Sequence, residues 1–480
     1  MLTSTRYSRP SLGRATGWAA TSIGHSRSVF APERHHVREQ RWKVDPRRPL
    51  RLQEYQDRTL YTTWNLSYSR LQKDDLVASQ MLKLLAYFDH QEIWYELMQA
   101  GLSDKSPAWL QNALSDLTGF SSVMKTLVDY CLVEVQHATR SYSMHSCVHD
   151  WTLGELNRTI DVPSYWYAFD CVAGAIDKND WEMLQQVQYA RVSTHGVRLT
   201  HSRFEREIDT GHGSMHRHVE AVWIGELLKG QVQLAAAKQM YVRALAGCEK
   251  ALGPDHTSTL DTANNLGMLY ADQGKLDEAE QMYVRALAGK EKALGPDHPS
   301  TLDTINNLGI LYHSQGKLDE AEQMYMRALT GKEKALGPDH TSTVDTVNNL
   351  GLLYADQGKL DEAEQMYVRA LAGKERALGL DHTSTLSTVN NLGILYRSQG
   401  KLEEAKQMYV RALAGYEKAL GPDHTSTLNT VNNLGNLYRS QGKLEEAKQM
   451  YVRALAGYEK ALGPQHTSTL DAKHCLANLY

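Results

Sequence analysis

The sequence predicts a mainly α-helical protein in which an α-solenoid of stacked helix pairs follows a smaller helical domain. From residue 258 to residue 467 the sequence repeats every 42 residues, and each copy contains two amphipathic segments separated by glycine. A fixed period of this length is typical of units that bury their apolar faces only by stacking on one another. All nine Trp and all five Phe residues lie at or before Trp223, which indicates a differently built region ahead of the repeats.

The first 53 residues predict a disordered tail. They are rich in Arg, Ser and Pro and are strongly basic, a composition that does not support a packed core. A transit peptide is the alternative, because residues 1–30 contain no acidic side chain. The chain shows no apolar run long enough to span a bilayer and no secretory signal, so we expect a soluble, cytoplasmic protein that does not bind membranes. The five Cys residues show no paired spacing and are expected to be buried, reduced thiols.

Residues 54–160 predict a compact domain of helices followed by a hairpin. Helices are expected at residues 58–71, 75–87 and 121–129, and extended segments at residues 131–135 and 142–148. This order suggests a winged-helix arrangement, which a helical connector over residues 161–214 would join to the repeats. Acidic side chains outnumber basic ones in residues 54–160. A surface that binds phosphates must be basic, so we expect no nucleic-acid partner.

Residues 215–480 predict the solenoid itself, with one degenerate unit, five full units and one truncated unit. The full units are residues 258–299, 300–341, 342–383, 384–425 and 426–467. Each unit contains one histidine in a Gly-Pro-Asp-His or closely related loop. Successive histidines would lie about two helix diameters apart, too far to share a metal ion. They therefore predict a structural role in the loop and no metal site.

The first full unit illustrates the predicted helix pair. Its first helix is expected from Ser258 to Gln273, with Ser258 and Asp261 in the spacing of a capping box. Gly274 ends that helix, and a second helix from Leu276 to Leu294 follows. Gly295 ends the second helix, because glycine tolerates the left-handed conformation of a helix C-terminus.

Residues 264–298 and their copies closely resemble the kinesin light chain type of tetratricopeptide repeat. The resemblance covers nearly half of the chain and implies a right-handed superhelix whose first helices line a concave groove for extended peptides. It concerns the repeat type alone, because the long heptad segment of kinesin light chains is missing. We therefore expect a non-enzymatic scaffold with peptide or protein partners. The matching positions in the first full unit are Leu266, Gly267, Tyr270, Gly274, Ala279, Tyr283 and Ala286.

The resemblance places the groove on the exposed turns of the first helices. An asparagine there can both donate to and accept from a peptide backbone, although bonds to neighbouring helices or to water are the alternative. The expected groove residues are Asp261, Asn264, Met268 and Asp272 in the first full unit; Asp303, Asn306, Ile310 and His313 in the second; Asp345, Asn348, Leu352 and Asp356 in the third; Asn390, Ile394 and Arg397 in the fourth; and Asn432, Asn436 and Arg439 in the fifth.

The charge of the units changes sign along the solenoid. The first three full units are net negative and the last two are net positive. Because complementary fields orient binding partners, this predicts a ligand whose basic part lies along the early units and whose acidic part lies along the late ones. Head-to-tail pairing of two solenoids is the alternative. The sequence stops within a sixth helix pair, so its last helix is expected to fray or to be covered by a partner or a second copy.

Four stretches of residues 54–160 carry a second resemblance: DRTLYTTWNLSYSRL, LLAYFDHQEIWYELM, DYCLVEV and YSMHSCVHDW. They resemble the winged-helix end of NB-ARC switch ATPases, and more narrowly of fungal NOD-like receptors. In that family the His of a Met-His-Asp motif lies near nucleotide phosphates, and Met144, His145 and Ser146 occupy the motif here. A structural role for His145, on a strand near a core Cys, is the alternative.

The sequence also limits what the chain is expected to bind. The sequence contains no GxxxxGK[ST] loop to hold phosphates, so we expect no cofactor and no nucleotide hydrolysis. The leading hypothesis is the sensor part of such a receptor, shortened at its N-terminus. The alternative is a nucleotide-dependent signalling switch whose ATPase part is absent from this chain or supplied by another chain.

Overall fold

The computed structural model describes residues 55–178, 187–208 and 215–479. The chain divides into two units, residues 1–66 and 67–480. In the first unit the described residues, 55–66, are helical, and the tail predicted over residues 1–53 lies outside the described residues. The second unit consists mainly of consecutive paired helices, which confirms the predicted α-solenoid.

The region before the repeats contains nine α-helices and a two-stranded antiparallel sheet within the described residues. The strands are β1 (Glu134–Gln136) and β2 (Ser141–Ser143), with Glu134 opposite Ser143. A short π-helix, Thr152–Leu156, follows α6. The helices are α1 (Tyr55–Asp74), α2 (Leu76–Leu85), α3 (Tyr95–Ala100), α4 (Ala108–Ala113), α5 (Leu117–Asp129), α6 (Ser146–Trp151), α7 (Val162–Gly174), α8 (Val187–Leu199) and α9 (Ser202–Glu207).

Two expectations for this region are wrong in detail. Helix α5 begins four residues earlier than predicted, because the Asp116 carboxylate accepts a hydrogen bond from the Gly119 amide at 2.7 Å and caps it. The second extended segment ends at Ser143, since His145 Nδ1 accepts from the Cys147 amide at 3.2 Å and starts α6. His145 is exposed and lies on no strand.

The cysteines also differ from expectation. Cys171 and Cys248 are buried as expected, and Cys475 is partly exposed. Cys131 and Cys147, however, are exposed. All five are free thiols, and the expectation of burial is therefore wrong for the two that flank the hairpin.

Helix α8 contacts the segment after α2 through a buried histidine. His195 Nδ1 accepts from the Asp89 amide at 3.0 Å, and Nε2 lies 2.7 Å from the Glu92 carbonyl oxygen, to which it donates. Both nitrogens are thus used by the neutral ring. Burial lowers the pKa of His195 to about 4.

The repeats follow as regular helix pairs, each with a first and a second helix. The degenerate unit contains Met215–Gly230 and Leu234–Leu252. The full units contain Thr257–Asp272 with Leu276–Leu294, Pro299–Ser314 with Leu318–Leu336, Thr341–Asp356 with Leu360–Leu378, Thr383–Ser398 with Leu402–Leu420, and Thr425–Ser440 with Leu444–Leu462; Thr467–Ala477 comes last.

The repeating histidine caps each first helix. In the first full unit His256 Nδ1 accepts from the Ser258 amide at 3.2 Å, and the helix begins at Thr257. The predicted capping box is therefore wrong, because Ser258 already lies in the first turn. The predicted structural role of the histidine is confirmed. Each second helix ends at a glycine, for example Gly295 with φ of +95°.

The core is shared between successive units. Tyr283 of the first full unit packs with Leu308 and Leu311 of the second. The tyrosine ring also lies directly against Gly267, where an added Cβ would come within 2.9 Å of the ring. The glycine of each first helix is therefore required by the ring of the second helix, and no unit has a complete core alone.

Candidate peptide-binding groove

The residues expected in the groove lie on one face of the first helices. Successive members within a unit are three or four positions apart, and this spacing places side chains on the same side of an α-helix. The structure divides them into an aspartate row, an asparagine row, an aliphatic row and a group of charged residues at the end of each helix.

The aspartate row, Asp261, Asp303 and Asp345, forms ion pairs within the solenoid. Asp303 lies 2.8 Å from the ammonium of Lys332, which is only 2% exposed. That ammonium also donates to Thr346 Oγ1 of the next unit at 3.1 Å. The pairs Asp261 with Lys290 at 2.6 Å and Asp345 with Lys374 at 2.8 Å repeat the arrangement. These carboxylates stabilise the stack, although their exposed sides still face solvent.

The fourth and fifth units carry a sequence signal for this pairing. In the fourth unit Ser387 and Tyr416 replace the aspartate and the lysine together. In the fifth unit Asn429 and Tyr458 replace them, and the Tyr458 hydroxyl donates to Asn429 Oδ1. Burial raises the pKa of Tyr458 to about 12, so the hydroxyl stays neutral. Two positions that change together from charged to neutral mark a contact.

The asparagine row bonds neighbouring units through its side-chain oxygens. Asn264 Oδ1 accepts from Asn307 Nδ2 at 3.2 Å, and Asn348 Oδ1 accepts from Thr388 Oγ1 at 3.0 Å. This is the alternative that the sequence left open for these oxygens, and the expectation of an exposed side chain is wrong for Asn264 and Asn306, each only 9% exposed. The row is completed by Asn306 Oδ1, which accepts from Asn349 Nδ2 at 3.3 Å, and by Asn390 Oδ1, which accepts from Asn433 Nδ2 at 3.2 Å.

The fifth member of the asparagine row differs from the other four. Asn432 Oδ1 is buried and has no hydrogen-bond partner among the described residues. The two positions that serve the earlier members, a threonine and an asparagine, are Ala472 and Cys475 in the last unit. The missing partner therefore follows directly from these two replacements.

Three members of the aliphatic row stay exposed on the first helices. Ile310, Leu352 and Ile394 are 46%, 42% and 39% exposed. Met268 precedes them and is half-buried. Asn436 takes this position in the fifth unit, where its Oδ1 accepts from the Tyr451 hydroxyl at 2.8 Å. Ile310, Leu352 and Ile394 thus expose an aliphatic side chain at the same position of three successive first helices.

Charged side chains lie at the ends of the same helices. Asp272 is exposed as a residue. Its carboxyl group is nevertheless partly shielded from water, which raises its pKa despite the nearby Lys229. His313 Nε2 lies 2.7 Å from Asp356 Oδ2 in the next unit. Arg397 and Arg439 occupy this end in the last two full units. The end of the groove is therefore acidic along the early units and basic along the late ones.

Three further features bear on function: His145, groups of potential metal ligands and apolar helices. His145 lies on the surface at the start of α6. No group of three or more potential metal ligands occurs in residues 55–178, 187–208 and 215–479. Among the same residues no helix is both long enough and apolar enough to cross a membrane.

Consecutive helix pairs of this kind form a non-catalytic type of scaffold for protein–protein interaction. The tetratricopeptide repeat model matches residues 219–292, 259–334, 311–376, 342–418, 384–460 and 426–480. These matches cover more than half of the chain, which therefore belongs to the tetratricopeptide repeat family. Members of this family bind peptide or protein partners.

Solved structures with similar repeats include kinesin light chain-like proteins. A Podosopora anserina kinesin light chain protein with nearly identical TPR-like repeats is 25% identical, with 43% of this chain and 98% of that chain covered and a TM-score of 0.37. BtubC from P. vanneervenii is 24% identical, with 49% and 93% covered and a TM-score of 0.41.

A signal transduction ATPase with a tetratricopeptide repeat sensor, from Pyrococcus horikoshii, is also similar. It is 13% identical, with 84% of this chain and 59% of that chain covered and a TM-score of 0.43. Comparison with curated proteins gives no match. The TM-scores are low, so the family assignment rests on the repeat match.

Proposed function

We propose that the first helices of the five full units hold an extended segment of a partner protein. The observation that carries the proposal is the aliphatic row, in which Ile310, Leu352 and Ile394 stay exposed at the same position of three successive units. Exposed apolar side chains are common singly, but an aligned row is typical of a binding surface.

Amide groups beside the aliphatic row supply a second type of contact. The Nδ2 groups of Asn264, Asn306, Asn348 and Asn390 donate to no acceptor in the described parts of the chain. In the proposal they donate to backbone carbonyl groups of the bound segment, one in each unit. Each asparagine would then accept a hydrogen bond from the neighbouring unit through its oxygen and donate one to the ligand through its nitrogen.

The charged residues would orient the bound segment. Asp272 and Asp356 favour basic residues of the ligand along the early units, and Arg397 and Arg439 favour acidic residues along the late ones. Such rim charges change the association rate and its salt dependence more than the affinity itself.

The test uses the purified chain and a library of extended peptides with opposite charge polarity. Peptides that are basic at the end facing the early units should bind more tightly than their charge-reversed counterparts. Leu352→Asp should weaken binding, because it places a charge in the aliphatic row. Val368→Asp is the matched control, since Val368 is comparably exposed, at 48%, but lies on a second helix. Equal binding by both variants, or indifference to peptide polarity, would reject the proposal.

We further propose that the whole chain is the sensor part of a cytoplasmic NOD-like receptor, with residues 54–160 as a winged-helix packing module and residues 161–214 as the connector. The short hairpin β1–β2 after helices α2 to α5 supports this proposal, as does the order of this module before the repeats. A nucleotide-binding assay tests it. No binding of ADP or ATP is expected, whereas saturable ADP binding that His145→Ala abolishes would favour a nucleotide-dependent switch instead.

A further inference from the structure

A cleft of about 800 Å³ lies along the second helix of the degenerate unit, Leu234–Leu252. Leu199 and Thr200 at the end of α8 form one wall, and Gln273 and Lys275 of the first full unit form another. Apolar side chains, including Met240 and Val242, cover much of the surface between them. A cleft of this size is in the range that binds ligands.

The charge of the cleft is one-sided. Lys238, Arg243 and Lys275 line it, and none of the described residues that line it is acidic. Lys238 lies over the ring of Tyr270, with its ammonium 5.3 Å from the ring centre. Three cations in one cleft repel one another, and a bound negative charge would reduce this repulsion.

The regular units show which acid is missing beside Lys275. The equivalent lysines of the next two junctions, Lys317 and Lys359, pair with Glu280 and Glu322 at 3.7 and 3.4 Å. In the degenerate unit the position of this glutamate is occupied by Lys238 itself. The replacement removes an acceptor and adds a second cation.

The same comparison applies to Arg243. In the full units the equivalent arginine pairs with a glutamate of the preceding second helix, as Arg285 does with Glu249 at 2.6 Å. Arg243 instead donates from Nη1 to the Tyr165 hydroxyl, and its guanidinium lies 4.6 Å from the centre of a Trp166 ring. Its Nη2 is buried without a hydrogen-bond partner in the described ranges of the chain.

The loss of acids at this helix is larger than at any full unit. Lys406 also replaces the glutamate in the fourth unit, but Gln441 there donates to Glu403 at 3.4 Å. The position of Glu403 is Ala235 in the degenerate unit, and Ala236 follows it where the full units have glutamate. The cleft thus lacks every acidic residue that begins a regular second helix.

We infer that this cleft binds an acidic segment of a partner polypeptide, with carboxylates on Arg243 and Lys275 and apolar side chains against Leu199 and Val242. The repeats themselves satisfy these cations with glutamates of a neighbouring helix, which favours a polypeptide as the occupant.

The test measures fluorescence anisotropy of a fluorescein-labelled helical peptide of glutamate, alanine and leucine, titrated with the full chain. A counterpart with lysine for glutamate should not bind. Lys238→Glu should weaken binding of the acidic peptide at least about tenfold, because it removes one cation and places a glutamate where it can pair with Lys275, as Glu280 pairs with Lys317. That variant introduces the glutamate–lysine pair found at the next two junctions, so it is expected to remain folded.

Lys406→Glu is the matched control, since it makes the same substitution at the same position of a full unit. It should leave the affinity unchanged. Equal effects of the two variants, or equal binding of the lysine peptide, would overturn the inference. So would binding of dodecanoate without binding of the acidic peptide, which would indicate a small amphiphile. Concentration-dependent dimers that Lys238→Glu abolishes would overturn it in favour of a second copy.

Discussion

Removal of one carboxylate from the aspartate row should loosen the junction between the second and third full units. Asp303→Ala leaves the ammonium of Lys332 buried, with only Thr346 Oγ1 at 3.1 Å and the Ser342 carbonyl at 3.3 Å as neutral acceptors. An unpaired charge in this position is costly because the ammonium cannot recover its hydration without moving.

The magnitude follows from the geometry. At 2.8 Å and an effective dielectric constant of about 20, the attraction between the two charges is about 6 kcal/mol. The two neutral acceptors offset part of this loss, and the Asp303 side chain is 53% exposed. Breaking fully buried pairs costs about 3–5 kcal/mol, so about 2 kcal/mol is expected here.

Hydrogen exchange is the suitable assay, because repeat proteins open locally and unfold less cooperatively than compact domains. A loss of about 2 kcal/mol should speed exchange of helices Leu318–Leu336 and Thr341–Asp356 about thirtyfold. The double variant Asp303→Asn with Lys332→Tyr should restore protection to within about 1 kcal/mol, since the fifth unit already uses this pair.

Ser387→Ala provides the control, because it removes a neutral partner at the same position of the fourth unit. It should cost less than about 1 kcal/mol. Unchanged exchange in Asp303→Ala would refute the role of the aspartate row in stabilising the stack. The same conclusion would follow if the Asn and Tyr double variant were no better protected than the single one.

Three further predictions concern stability. Gly309→Ala should destabilise its unit by about 1–3 kcal/mol in thermal unfolding, because a Cβ would lie 2.7 Å from the Tyr325 ring; a gain in stability would contradict this. Cys475→Asn should slow hydrogen exchange near Asn432 by supplying the missing donor, a gain of about 1 kcal/mol that Cys475→Ala should not reproduce. The pKa of His195, about 4 in the folded chain, lies below its usual value, so the unfolded chain takes up this proton first. His195 should therefore contribute a loss of stability of about 3 kcal/mol as the pH falls from about 6.5 to about 4, and urea unfolding followed by Trp fluorescence should show a weaker loss in His195→Gln.

Much of the fold follows from local sequence patterns. The bounds of the first full unit's second helix are as predicted, because Gly295 forces the chain into a left-handed turn that ends the helix. The first helix of the first full unit begins one residue earlier than predicted, because a histidine ring nitrogen caps it in place of the serine hydroxyl that the pattern suggested. The end of β2 was misplaced for the same reason, by the cap that His145 provides.

The contacts that the predicted groove residues make were harder to predict from the sequence. The spacing of Asp303, Asn306 and Ile310 correctly indicates a shared face. It does not reveal that Lys332 lies beneath the aspartate, or that Asn349 bonds the asparagine. The paired replacement of aspartate and lysine in the fourth and fifth units was the available signal.

By itself, the sequence determined the repeat, the alternation of helices and the residues that share a face, because helical period and glycine conformation act over a few neighbouring positions. Only the tertiary structure decided which of those residues remain available to a partner. Lys332 and Asp303 meet because two helices pack, and the acids missing around Arg243 and Lys275 become evident only where the cleft brings those cations together. The physical reason is that a side chain's partner lies on another helix, tens of residues away, where the local pattern carries no information about it.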